Sequence, residues 1–234
     1  MARKGRSNPL ALAVLVLLTE RRMHPYEMST TLRERRKEDS IKLNYGSLYA
    51  VVESLQKRGL IEATETVRDG RRPARTVYAI TEAGAEEMHD WLTDLIARPV
   101  KEYPQFEAAL SLLPVLPPDR AVDLLETRLG ALRETDRVTE AGFRDVGGKL
   151  PRLFLIEAEF AHALLRAEIE FVDKLVGELR RGELADLRLW RRIHELHRAG
   201  TLPEDLTAFV TEEFDAEEVR WLTELAKPSD EPPQ

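Results

Sequence analysis

Along most of the chain apolar residues recur every three or four positions, and in two short stretches they do not. Residues 9 to 20, "PLALAVLVLLTE", are apolar on nearly every side, the pattern of a buried helix. Asn8 stands at its N-cap and Pro9 in its first turn, where a side-chain acceptor and a fixed φ both favour helix initiation. "HPYEMSTTLRERRK" opens a second helix near Pro25, with Tyr26, Met28 and Leu32 expected inward. After the connection "EDSIKL", residues 44 to 61, "NYGSLYAVVESLQKRGLI", place Leu48, Val52 and Leu55 at i, i+4 and i+7. Asn44 supplies that helix with a cap and Gly59 with a left-handed stop. Then the period shortens. "LIEATETV" and "RTVYAIT" are rich in β-branched and aromatic residues and read as two strands joined by "RDGRRPA". Asp69-Gly70 marks a turn there, and Pro73 keeps the connection from being a regular two-residue hairpin. Thr81 caps a further helix to about Ala97, striped by Ala85, Met88, Trp91, Leu92 and Leu95.

Three helices, a two-stranded β-wing and a linking helix predict an N-terminal winged helix-turn-helix. The chain as a whole is expected to be mainly α, with a helical C-terminal dimerisation domain behind the wing. Such a fold lays its third helix in the DNA major groove and its wing on the flanking backbone or minor groove. On the outward side of the third helix stand Tyr45, Ser47, Tyr49, Ser54, Lys57 and Arg58, six hydrogen-bonding or cationic groups. The wing adds Arg68, Arg71, Arg72 and Arg75, with Asp69 the one acid among them. Planar, weakly hydrated guanidinium suits phosphates and narrow minor grooves. These ten residues are the expected DNA-binding set; Tyr49, beside Leu48, has the alternative of packing inward with only its hydroxyl exposed.

The C-terminal half is helical throughout. "PVKEYPQFEAALSLLPVLPPDRA" reads as a hinge with a short helix inside. Pro117-Pro118 ends it, and Asp119 is expected to cap the next helix, which carries Ala121, Leu124, Leu125, Leu129 and Leu132. "GFRDVGGKLP" is expected to break that helix. A long one follows from about Arg152 to Arg181, with Phe160, Leu164, Phe171, Leu175 and Leu179 close to heptad spacing. A second apolar line of Leu165, Val172 and Val176 widens the stripe beyond what one partner helix covers. An intramolecular bundle and a homodimer both answer that width. The need of a two-half-site operator for a two-fold axis favours the dimer. "ELADLRLWRRIHELHRAG", "TLPEDLTAFVTEEF" and "DAEEVRWLTELA" read as three short helices before a disordered "KPSDEPPQ" tail. The expected division is therefore 1–97 for DNA binding with the linking helix, 98–181 for dimerisation and 182–234 as an extension.

Charge supports that division. The formal net charge is −7, yet residues 1–81 hold 16 Lys+Arg against 9 Asp+Glu, and residues 82–234 hold 19 against 33. A basic front and acidic back suit a nucleic-acid-binding half, because binding follows local potential rather than total charge. The absence of cysteine excludes disulfides, thiolate metal sites and cysteine nucleophiles, and fits a reducing cytoplasm. "MARKGR" before "LALAVLVLL" imitates a signal peptide, but Thr19, Glu20, Arg21 and Arg22 follow in place of a small-residue cleavage site. That run is also shorter than the roughly 20 residues a bilayer span needs, so no membrane association is expected.

Candidate chemistry is sparse. There is no Gly-rich phosphate loop and no Gly-x-Ser-x-Gly elbow, so the expectation is a non-enzyme without cofactors. His194 and His197 flank Glu195, but the spacing is not His-Glu-x-x-His and an amphipathic surface explains it; no metal is expected. A winged helix that binds protein rather than DNA is the alternative function.

Three stretches, "LALAVLVLLTERRMHPYEM", "YGSLYAVVESLQKRGLI" and "RRPARTVYAITEAGAEEM", resemble the PadR family of bacterial transcriptional regulators over roughly residues 8 to 97. The chain departs from that pattern at Pro25, where the family often has glycine, and at Ala50, where it often has proline. The resemblance implies a homodimeric repressor that binds a near-palindromic operator and is released by a small aromatic effector. It also implies a place for that effector on Trp91 of the linking helix; the alternative is that Trp91 is simply core.

Overall fold

In the computed structural model, residues 8–67 and 75–215 are described, apart from the side chains of Tyr45, Thr66 and Val67. The chain divides into two compact units, Met1–Glu102 and Tyr103–Gln234.

The first unit is built by local signals that agree with one another. Helix α1 (Pro9–Glu20) begins where Asn8 Oδ1 accepts the Leu10 N–H at 3.0 Å, and it buries Leu10, Val14, Leu15 and Leu17. Helix α2 (Pro25–Glu34) opens on a reciprocal cap: His24 Nδ1 accepts the Glu27 N–H, and the Glu27 carboxylate accepts the His24 N–H at 3.0 Å. Met28 and Leu32 are buried as expected, but Tyr26 is 53% exposed. Two residues along a helix is about 200° of rotation, so Tyr26 and Met28 point apart. A 3-10 turn at Lys37–Asp39 leads to α3 (Tyr45–Lys57), where the Ser47 N–H donates to Asn44 Oδ1 at 2.6 Å. Gly59 then takes φ +71°, the left-handed stop.

Strands β1 (Ile61–Val67) and β2 (Arg75–Ile80) pair antiparallel, from Ile61 opposite Ile80 to Val67 opposite Arg75, with an irregularity between Ala63 and Glu65. Met23 bridges the other side of β2 by two backbone bonds with Tyr78, of 2.9 and 3.1 Å. Helix α4 (Glu82–Ala97) starts at Thr81, whose Oγ1 accepts the Gly84 N–H and donates to the Gly59 carbonyl. Gly84 passes so close to the backbone that a Cβ there would stand 1.9 Å from the Leu60 carbonyl oxygen. One core joins these elements, from Leu10 and Val14 through Leu48, Val52 and Leu55 to Met88 and Trp91.

The second unit is helical throughout its described part. Helix α5 (Gln105–Ser111) and a 3-10 turn at Leu113–Val115 precede α6 (Pro118–Val146). Pro117, not Asp119, is the N-cap residue; Asp119 lies inside the first turn with its charge near the helix N-terminus. Residues 142–146 continue α6 instead of breaking it, and the break comes at Gly147-Gly148, where Gly148 takes φ +74°. After a 3-10 turn at Arg152–Phe154, α7 (Ile156–Arg181) runs back antiparallel to α6. The pairs Arg180–Glu126, Arg128–Glu168 and His162–Asp136 set that register. Val122, Leu125 and Leu129 pack on Val172, Val176 and Leu179.

Helix α8 (Leu187–Ala199) is tied to the turn before α6: Trp190 Nε1 donates to the Leu116 and Pro114 carbonyls at 2.9 and 3.1 Å, and His194 Nε2 lies 2.9 Å from the Pro114 carbonyl. Helix α9 (Leu206–Glu213) adds a small cluster of Leu189, Val210 and Phe214. The expected third short helix and the tail, from residue 216 onward, lie outside the described residues. No described helix is long and apolar enough to cross a membrane.

Candidate nucleic-acid interface

Helix α3 is held by its inner face. Leu48, Val52 and Leu55 are 0–2% exposed, which fixes the opposite side toward solvent. On that side Tyr49 is 55% exposed, so it does not pack inward, and Ser54 and Lys57 are exposed too. Ser47 is half-buried, near the helix N-terminus, where its own N–H is taken by the Asn44 cap. The Tyr45 side chain lies outside the described residues.

Two ion pairs modify the expected cationic end of the helix. Lys57 Nζ lies 2.6 Å from Glu53 of the same helix, and both are largely exposed. That ammonium holds the Glu53 carboxyl below its usual range. Arg58 is committed differently, donating to Glu87 of α4 at 3.0 Å across a contact where Glu87 is only 10% exposed. Arg58 therefore joins the third helix to the linking helix, while Lys57 stays on the surface.

On the wing, Arg68, Arg71 and Arg72 lie outside the described residues. Arg75 opens β2 and is exposed. Its guanidinium stands 5.8 Å over the ring of the exposed Tyr26 and 3.4 Å from His24 Nε2. His24 Nδ1 accepts the Glu27 N–H, so Nε2 is the ring nitrogen that faces Arg75. Arg75 thus has the Tyr26 ring as a neighbour, which the inward reading of Tyr26 had hidden. The arrangement offers phenol, hydroxyl and cationic groups on a rigid scaffold.

Of the other expected site residues, Phe160, Leu164 and Phe171 are 64%, 57% and 51% exposed. Leu175 is half-buried and Leu179 buried within the second unit, so the near-heptad line turns from open to covered along α7. Trp91 is 1% exposed, inside the first unit's core, and its indole Nε1 has no hydrogen-bond partner among the described residues. Leu92, Leu95 and Ile96 on the same helix are exposed.

Helix order, strand pairing and an outward third helix define a winged helix-turn-helix. Residues 14–90 match the family model "Transcriptional regulator PadR-like family", and over that stretch the chain is similar to a PadR-like winged helix. The family is one of transcriptional regulators, not of enzymes. No curated protein matches the chain in sequence. Among solved structures it is similar to Bacillus subtilis PadR in complex with operator DNA, at 18% identity and TM-score 0.57, over 74% of this chain and 99% of that one. Bacillus subtilis PadR by itself aligns at 16% identity and TM-score 0.54, over 77% of this chain and 99% of that one. The PadR-like transcriptional regulator BC1756 of Bacillus cereus aligns at 17% identity and TM-score 0.51, over 74% and 99%. At such identities these likenesses speak for the fold.

Proposed function

We propose that this chain is a sequence-specific DNA-binding regulator, acting in the cytoplasm as a homodimeric repressor. The observation that carries the reading is α3 itself, locked by Leu48, Val52 and Leu55 while Tyr49, Ser54 and Lys57 face solvent. The similar Bacillus subtilis protein that was solved on operator DNA supports the same use of the fold. In this reading residues 1–97 read DNA, 98–181 dimerise and 182–234 extend the helical half. Lys57 and the wing arginines grip phosphate or the minor groove, and Tyr45, Ser47 and Tyr49 reach base edges. Arg58 holds α3 against α4 through Glu87 and contributes to DNA indirectly.

The open face of Phe160, Leu164 and Phe171 supports the dimer, since three large apolar side chains in one helical line are seldom left to water. Release by a flat aromatic effector is the remaining part of the reading. Trp91 is closed off in the first unit's core, so such a ligand would meet Leu92, Leu95 and Ile96 on the exposed side of α4 and would reach the indole only where that core opens.

The test is a gel-shift with the chain's own upstream region across a salt series. Binding at low salt that weakens steadily as salt rises supports the reading, because phosphate contacts release counterions. No shift at any salt would leave the protein-binding winged helix as the better account.

A further inference from the structure

At the loop end of the α6–α7 hairpin, the apolar seam gives way to polar groups. Leu132 and Ile169 are the last partly buried apolar residues packed on the unit's core there. Beyond them the two helices face each other through Asp136 and Glu140 of α6 and His162 of α7. The two acids are four residues apart, hence on one helix face one turn apart. His162 Nε2 lies 2.6 Å from Asp136 Oδ1, with side chains 15% and 25% exposed. One ligand atom from each of the three residues lies within 4.8 Å of the other two. The Phe143 ring, tilted and 5.5 Å from the imidazole by centroids, packs beside it.

We propose that Asp136, Glu140 and His162 form a binding site for a divalent transition metal of the zinc type, joining α6 to α7. One imidazole nitrogen and two carboxylate oxygens are a donor set that zinc accepts at roughly 2.0–2.2 Å, leaving a position for water. The imidazole argues against magnesium and calcium, which prefer all-oxygen surroundings. Donors about one zinc stand further apart than 2.6 Å, so binding replaces the His162–Asp136 hydrogen bond by two metal bonds, and the proton held between them leaves the ligating atoms for the other ring nitrogen or for solvent. Arg166 lies 3.7 Å from Glu140 and is the cation that must move; at 65% exposed it has room to do so. The metal would supply, at this end of the hairpin, the cross-link that the apolar core supplies at the other. It requires neither DNA nor an effector.

The full-length chain, stripped with chelator, would be titrated with zinc by calorimetry, with magnesium as the control. One zinc per chain is expected, with no magnesium binding and a thermal midpoint that rises with free zinc. His162→Gln and the double change Asp136→Asn with Glu140→Gln should each weaken zinc binding by at least about tenfold, with helicity unchanged by circular dichroism. His194→Ala with His197→Ala should leave the affinity as it was. Zinc binding that survives the first two changes, or that disappears with the α8 pair, would overturn the assignment. Equal binding of magnesium would reduce the site to a patch of surface carboxylates.

Discussion

The two units bury their apolar residues in different ways. In the first, α1 is covered except along Pro9, Val16, Thr19 and Glu20, and α3 hides Leu48, Val52 and Leu55 in the same continuous core, although Leu92, Leu95 and Ile96 of α4 stay exposed. In the second, α7 covers Val172, Val176 and Leu179 with α6 but leaves Phe160, Leu164 and Phe171 open. A unit with one continuous core behind its third helix can offer a polar face for recognition. One that leaves an apolar line uncovered is shaped for a partner, and we take that partner to be a second copy.

The contrast breaks most visibly at the open face. Phe160→Asp with Phe171→Asp should turn the dimer into monomer, since each charge at a buried seam costs ~3 kcal/mol or more. Light scattering reads the mass, and operator affinity should collapse while the winged unit stays folded. A variant that remains dimeric would place the seam elsewhere. Changing Leu175, as the sequence alone would suggest, is the blunter test, because it is half-buried and packs on the second unit's own core.

The converse experiment strikes the closed core. Leu48→Ala should destabilise the first unit by about 2–5 kcal/mol, the usual range for a fully buried leucine. Denaturant unfolding measures it, and the helical half should still self-associate. Loss of the dimer together with the winged helix would mean that the two units depend on each other.

A smaller effect is expected at the wing. Arg71→Ala with Arg72→Ala should weaken operator binding and reduce the slope of log K against log salt by about 2, roughly one for each phosphate left unneutralised. An unchanged slope in the gel-shift series would remove the wing from the interface.

The smallest lies in the α2 cap. Burial pushes the Glu27 carboxyl up, but the His24 N–H and the Arg21 guanidinium outweigh it and hold the group below its usual range. A lowered folded-state value means stability that is present above the unfolded carboxylate pKa and lost as pH falls through the folded one. Glu27→Gln should therefore lower the thermal midpoint modestly at neutral pH and flatten the acid limb of the profile, the two proteins converging once Glu27 is protonated. A limb of unaltered steepness would assign it to other carboxylates.

The first unit was the more legible because its signals are short-range. Asn8, Asn44 and Thr81 each cap the helix that their sequence context predicts, and Gly59 stops α3, since a cap needs only a neighbour two or three residues away. Tyr26 was misread for a local reason, being set on the Met28 face against helical spacing. The partner of Arg58 was hidden for a distant one, because Glu87 lies 29 residues further on. In the second unit the extent of α6 escaped because Gly142 lies inside a helix that long-range packing sustains. The pattern of α7 showed two apolar lines without saying which was inward.

By itself the sequence determined where most described helices and strands begin, what chemistry the third helix and wing carry, and the family likeness of residues 14–90. Those depend on backbone bonds and side-chain periods that close within a turn or two. Tertiary structure alone decided that Val172 and Val176 turn inward while Phe160 and Phe171 turn out. It also committed Arg58 to Glu87 and brought His162 to Asp136 across 26 residues. The register of one helix against another sets such pairings, and no residue carries that register in its own neighbourhood.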